Sequence, residues 1–267
     1  TIDVEDWFQA ENLKTVIHRD NWNTIELRVE QNTHRILDFL DKHRTKATFF
    51  VLCWIEEKLP FLIREIHKRG HEISSHGYAH KLIYNQSFEE FRADLRHSKD
   101  LLENIVNEAI IGYRAPVFSI TDWALDILQE EGFKYDSSFF PVFYQGKYGK
   151  IKTNFKVHNR AWQIRSGLYE FSLPTLDFFY LRFPWSGGYL RGIPYLIFRQ
   201  GIKRIVRHDP TYVFYFHPWE IDYLQPRQKN IRLSCRLKHY IGLKNFESKI
   251  NRLLIDFPFT RIKDGLL

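Results

Sequence analysis

Short β-rich runs alternate with helical periods along nearly the whole of this 267-residue chain. That alternation constrains the fold more than any other feature. Residues 1–4 read as a strand end, 47–52 and 71–75 as buried strands, 109–113 as a fourth and 212–216 as the last. Between them, residues 33–43 repeat apolar side chains at helical spacing through Ile36, Leu37 and Leu40, and a second helix through Leu62, Ile63 and Ile66 stops at Gly70. Ser87-Phe88-Glu89-Glu90 has the spacing of a capping box and opens a long amphipathic helix to about Val106. Further helices are expected at 123–131, 194–206 and 244–256, with strand-like pieces at 169–173 and 189–191 inside an irregular, aromatic-rich stretch. Strands alternating with helices of this length predict βα units around a parallel sheet. The expectation is an α/β fold, a distorted and incomplete (β/α) barrel, as one domain over 1–267 with a helical C-terminal extension from about 235.

The polar residues then fall into an order. Asp3, Glu5 and Asp6, the pair His76 and His80, Arg114, and His217 each sit just after an expected strand. In a parallel βα barrel all strand C-termini open on one face, where such folds carry their active sites. Groups separated by more than 200 residues of chain would therefore converge.

Their chemistry is compatible with one site. In Ser74-Ser75-His76-Gly77-Tyr78-Ala79-His80 the two imidazoles lie four residues apart, and a helical turn there would let them share a metal. In Asp3-Val4-Glu5-Asp6-Trp7-Phe8, strand alternation points Asp3 and Glu5 to one face and Asp6 to the other. Carboxylates between an apolar strand and two aromatic rings need a partner or a metal if buried. Arg114, before Ala115-Pro116, offers a fork that can fix a carboxylate. His217 ends the apolar run Phe214-Tyr215-Phe216 and can serve as a proton donor near neutral pH.

Composition narrows the classes. With 44% hydrophobic residues there is material for one sizeable core, and 7 Trp, 14 Tyr and 23 Phe supply both core and surfaces on which sugar rings stack. The net charge of +7 comes with interleaved acids, as in Glu89-Glu90-Phe91-Arg92-Ala93-Asp94, and with no nucleic-acid motif. No nucleic-acid partner is expected; an anionic substrate or a nearby membrane is. Two cysteines, Cys53 and Cys235, give no disulfide framework, and no span-length apolar run or signal peptide is visible, so a cytoplasmic location with membrane association is the expectation.

Taken in order, Thr1-Ile2-Asp3, Ser75-His76 with His80, Arg114-Ala115-Pro116 with Phe118, and His217-Pro218 resemble the motifs of the polysaccharide deacetylase family, also called the NodB-homology or carbohydrate esterase 4 family. The resemblance spans nearly the whole chain. Asp-Val-Glu-Asp-Trp-Phe, Pro184-Trp185-Ser186-Gly187-Gly188-Tyr189 and His217-Pro218-Trp219-Glu220-Ile221-Asp222 are similar to the branch associated with bacterial exopolysaccharide and exosortase gene clusters.

The resemblance implies a NodB-type barrel and hydrolysis of N-acetyl groups on a bacterial polysaccharide, an exopolysaccharide or a peptidoglycan-like amino-sugar oligomer. It implies that His76 and His80 bind a divalent metal with one acid, that Asp3 is the general base, that Arg114 orients Asp3, and that His217 protonates the leaving amine. Zinc is the default metal for such a donor set, with cobalt, nickel or iron as alternatives. The family commonly places two adjacent Asp where Val4-Glu5 intervenes here. The acid ligand is then Asp6, the closer chemical match and slightly favoured, or Glu5, on the strand face of Asp3. Pro116, Trp185 and Tyr189 would line the sugar site. The partners expected are the glycan itself and a peripheral contact with membrane or exopolysaccharide machinery. The alternatives are an amidase on a small cyclic amide or ureide, and a non-catalytic carbohydrate-binding barrel.

Overall fold

The computed structural model describes residues 1–142, 148–152, 161–178 and 181–266, with only the backbone of Phe178 and Leu181. Its sheet starts from β1 (Ile2–Val4) and adds β2 (Thr48–Val51), β3 (Glu72–Ser75), β4 (Gly112–Tyr113) and β5 (Tyr135–Asp136), each parallel to the one before. β7 (Leu168–Phe171) follows β5 in parallel, and β6 (Ala161–Arg165) pairs with β7 antiparallel at the far edge. All residues of β1, β2 and β3 are buried. A sheet covered on both faces asks for continuous rather than alternating apolar runs, which is what Thr48-Phe49-Phe50-Val51 supplies. A separate hairpin, β8 (Thr175–Phe178) and β9 (Leu181–Pro184), follows β7.

Helices lie between the strands: α1 (Val29–Lys42), α2 (Cys53–Lys58), α3 (Pro60–Lys68), α4 (Phe88–Val106) and α5 (Asp122–Glu130). α1 buries Ile36, Leu37 and Leu40, as the spacing predicts. α4 begins at the expected box, in which Ser87 accepts from the Glu90 amide at 3.2 Å and Glu90 Oε2 accepts from the Ser87 amide at 2.9 Å. The C-terminal third adds α6 (Tyr189–Gly192), α7 (Tyr195–Val206), α8 (Leu233–Tyr240) and α9 (Leu243–Asp256). The chain then returns under the sheet, where the Ile262 amide donates to Thr48 Oγ1 at 2.8 Å and the Lys263 amide to Glu72 Oε2 at 3.1 Å.

Three local expectations are corrected. Residues 212–216 make one bridge rather than a strand: Asp3 N donates to Phe216 O at 3.0 Å and Phe216 N to Thr1 O at 3.3 Å, so β1 meets this segment without closing the barrel. Pro210 before the segment and Pro218 after it lack the donors that would extend the ladder. Tyr189–Arg191 is helical, because Gly187 and Gly188 turn the chain locally and their carbonyls accept from Leu190 and Arg191 at 3.1 Å. The segment between His76 and His80 is no helix. Gly77 has φ +70° and His80 φ +51°, and the loop is held by Asp94 on α4, which accepts from the Tyr78 amide at 2.9 Å and the Ala79 amide at 3.2 Å.

Candidate metal centre and active site

Glu5 leaves β1 just where the chain turns, its amide donating to Asp3 O at 2.9 Å. Its carboxylate Oε1 lies 2.8 Å from His76 Nε2 and 3.0 Å from His80 Nε2. His76 leaves the end of β3, and its Nδ1 sits 2.8 Å from Arg114 O. A backbone carbonyl there makes Nδ1 the donor and leaves Nε2 its lone pair, the tautomer a metal requires. The left-handed backbone at His80 is uncommon for a side chain with a Cβ, and it brings the second imidazole onto the same oxygen. One ligand atom from each of Glu5, His76 and His80 lies within 4.8 Å of the others, the one such group among the described residues. Two imidazole nitrogens and a carboxylate, largely buried, fit a divalent ion. Burial alone would raise the Glu5 carboxyl, but the charges of His80 and His217 and the hydrogen bonds from both ring partners hold it well below the usual carboxylate range.

Asp6 does not join this group. Its Oδ1 accepts from the Trp7 amide at 2.8 Å, and its Oδ2 accepts from the Arg28 and Val29 amides at 2.7 and 2.9 Å. Both oxygens serve backbone donors, one capping the turn Trp7–Gln9 and the other the start of α1. The slight preference for Asp6 as the acid beside the imidazoles is therefore corrected in favour of Glu5. The strand-face argument pointed there already, and Asp6-Trp7-Phe8-Gln9 carries cap-box spacing that marks Asp6 as a cap.

Asp3 is fixed by Arg114, whose Nη1 donates to Asp3 Oδ1 at 2.6 Å. The guanidinium is fully buried, over the Phe50 ring at 4.0 Å, with Ser137 O and Ser137 Oγ taking further N–H groups at 2.9 and 2.8 Å. Arg114 itself does not line the cavity that Asp3 faces. His217 approaches from the other side, its Nε2 4.0 Å from Asp3 Oδ2 and its Nδ1 2.9 Å from Glu220 Oε1. Burial lowers the affinity of this imidazole for a proton, but Glu220, Glu5 and Asp3 more than compensate and push it up to about 9.

Glu220 and Arg191 went unread in the sequence. Arg191 Nε lies 2.9 Å from Glu220 Oε2, and its other nitrogens donate to the carbonyls of His239 (2.5 Å) and Lys238 (2.7 Å). The Trp219 ring stacks between His217, with centroids 5.3 Å apart, and His239, at 4.5 Å. The acid at the third helical position after His217 was the available signal for Glu220; nothing local marks Arg191, which reaches it from α6.

These groups open on one cavity of about 370 Å³. Asp3, Glu5, His76, His80 and His217 form its polar floor, and Phe118, Tyr148, Tyr189, Ile193, Tyr215 and Ile241 much of its wall. Tyr189 lines the cavity. Pro116 does not line the cavity; it opens the turn Pro116–Phe118 that presents Val117 and Phe118. Trp185 is a core residue, stacked on Phe198 at 5.1 Å with Nε1 donating to Phe198 O at 2.9 Å.

Residues 20–135 match the polysaccharide deacetylase family, and residues 137–266 match a domain of unknown function, DUF3473. The chain is similar to the polysaccharide deacetylase family over residues 20–135, somewhat under half of its length. The first match holds His76, His80 and Arg114, whereas His217, Glu220 and Arg191 fall in the second. A peptidoglycan-N-acetylglucosamine deacetylase of Bacillus cereus is 30% identical over 102 residues, 38% of this chain and 47% of that relative. The chain spans about half the length of the curated relatives it matches, 44% and 45% in two further cases. Among solved structures, a putative polysaccharide deacetylase from Mycobacterium smegmatis superposes with a TM-score of 0.62 at 20% identity, covering 98% of this chain and 86% of that one. A family pseudoenzyme from Bacillus anthracis gives 0.50 at 16% identity, covering 88% and 60%. These two likenesses establish the deacetylase fold: an α/β architecture on a mostly parallel, unclosed sheet.

Proposed function

We propose that this chain hydrolyses the N-acetyl group of an amino sugar in a bacterial polysaccharide or its lipid-linked precursor, releasing acetate and a free amine. The observation that carries the proposal is the convergence of three groups on one cavity: Glu5 with His76 and His80, Asp3 held by Arg114, and His217 backed by Glu220. Glu5, His76 and His80 would hold a divalent ion, zinc by the chemistry of the donors, with cobalt, nickel or iron accommodated by the same set. A bound ion supplies Lewis acidity toward an amide carbonyl and toward water.

The chain's own residues do the rest. Asp3, oriented by Arg114, takes a proton from the attacking water. His217, charged at neutral pH, gives a proton to the amine nitrogen as the C–N bond breaks. Tyr189 and Tyr215 in the wall offer rings to a pyranose. A complete acid, base and donor set favours hydrolysis over a non-catalytic carbohydrate-binding barrel.

Acetate release from N-acetylglucosamine oligomers tests the reading, with Asp3→Asn beside the wild type and each after chelation and zinc return. Release that Asp3→Asn abolishes, and that chelation removes and zinc restores, is expected. Release that survives both perturbations would overturn it.

A further inference from the structure

Positive charge is gathered in one part of the chain. Residues 178–246 hold twelve Lys and Arg against three Asp and Glu, a local excess larger than the net +7 of the whole. Apolar exposure concentrates in the same stretch. Among the described residues, eight of the thirteen exposed large hydrophobic side chains fall there, from Phe183 to Ile241. Scattered exposed apolar residues are ordinary on a protein surface, but a concentrated set is not.

The focus is α8. Leu233, Leu237 and Ile241, the last at its C-terminal cap, recur every fourth residue and so share one side of the helix. They are 70%, 57% and 49% exposed. Arg232, Arg236 and Lys238 beside them are exposed as well, and no acid interrupts the chain between Asp222 and Glu247. Tyr223 and Leu224, just before this run, are also exposed. A solvated helix face would mix charges of both signs and omit the leucines. A short basic helix presenting Leu and Ile is the composition of a helix lying in a lipid interface. Lys238 and Ile241 also line the catalytic cavity, so this face runs up to its rim.

We infer that α8 seats the protein on an anionic membrane surface. Leu233, Leu237 and Ile241 enter the headgroup boundary, while Arg227, Lys229, Arg232 and Arg236 meet lipid phosphates. No helix among the described residues is long and apolar enough to cross a membrane, so the contact is peripheral. Seated this way, the rim formed by Lys238 and Ile241 lies against the bilayer, and the amino sugar acted on is one held at that surface. This consequence for the substrate rests on the deacetylase reading; the docking itself rests on exposure and charge alone.

The test is sedimentation of the full chain with vesicles of equal phosphatidylglycerol and phosphatidylcholine, beside vesicles of phosphatidylcholine only. Binding to the anionic vesicles, weakened by added salt as lipid electrostatics requires, is expected. The double variant Leu233→Asp/Leu237→Asp should lose about tenfold or more of that binding. Phe61→Asp, 78% exposed on α3 and outside the basic stretch, should retain it. No binding to anionic vesicles, or equal binding by the double variant, overturns the inference. So does a wild type that ignores vesicles but self-associates through a contact the double variant lacks. Acetate release from soluble oligomers, measured on the same samples, separates the two claims. Its absence in all samples defeats the deacetylase reading and leaves the vesicle result to stand by itself.

Discussion

Replacing Asp6 by Ala separates a structural acid from a metal-holding one. Its carboxylate accepts from three backbone amides, those of Trp7, Arg28 and Val29, at 2.7–2.9 Å. Losing the cap at Trp7 costs about 1 kcal/mol by the behaviour of helix caps. The Arg28 and Val29 amides would be left without their acceptor, at about 1 kcal/mol or more each. Burial works the other way, since it pushes the Asp6 carboxyl up to about 6 and its removal relieves that desolvation. The net loss is therefore below about 3 kcal/mol, readable as a lower midpoint in urea denaturation at unchanged slope. Metal bound per folded chain should stay at the wild-type level. Glu5→Gln should do the reverse, removing metal while shifting stability little. A stable Asp6→Ala protein that no longer binds metal would refute the assignment of both acids.

Other outcomes follow from the same geometry. Glu220→Gln keeps a hydrogen-bond acceptor at His217 Nδ1 but removes the charge that favours the imidazolium, so kcat should fall about tenfold or more with KM little changed. Arg114→Lys cannot reproduce a fork that serves Asp3 and Ser137 together, and acetate release should drop at least as far while the fold persists. His239 is lowered from 6.5 to about 3, by burial first and then by the charges of Arg191 and His217. A depressed value means its contribution is fully present above pH 6.5 and is lost as pH falls toward 3. Between pH 7.5 and pH 5 that amounts to about 2 kcal/mol, and His239→Gln should flatten the fall in urea stability over this range by that amount.

The parts of this molecule legible in the sequence are those whose causes are local. Ile36, Leu37 and Leu40 repeat at helical spacing because one side of α1 is buried, and Ser87 with Glu90 closes a box within four residues. The polar groups at strand ends were legible through one topological rule, that parallel strands expose their C-termini together. What could not be read depends on partners distant in the chain. Asp6 looked like a ligand because its acceptors' donors, the Arg28 and Val29 amides, lie more than twenty residues on. Trp185 sits in a sugar-like motif, yet Phe198 and Gly201 of α7 enclose its ring. The imidazole pair was expected on a helix; positive φ at Gly77 and His80, with Asp94 holding the loop, brings the rings together instead. Residues 212–216 have strand composition but only one bridge to β1.

The central claim is that Glu5, His76 and His80 hold one divalent ion that deacetylation requires. Metal content of the purified protein, wild type beside His76→Ala, with acetate release measured on the same samples, tests it most directly. The account predicts about one ion per chain in the wild type, lost in His76→Ala together with acetate release. A wild type that takes up no metal after reconstitution, or a His76→Ala protein that keeps both metal and activity, would contradict it.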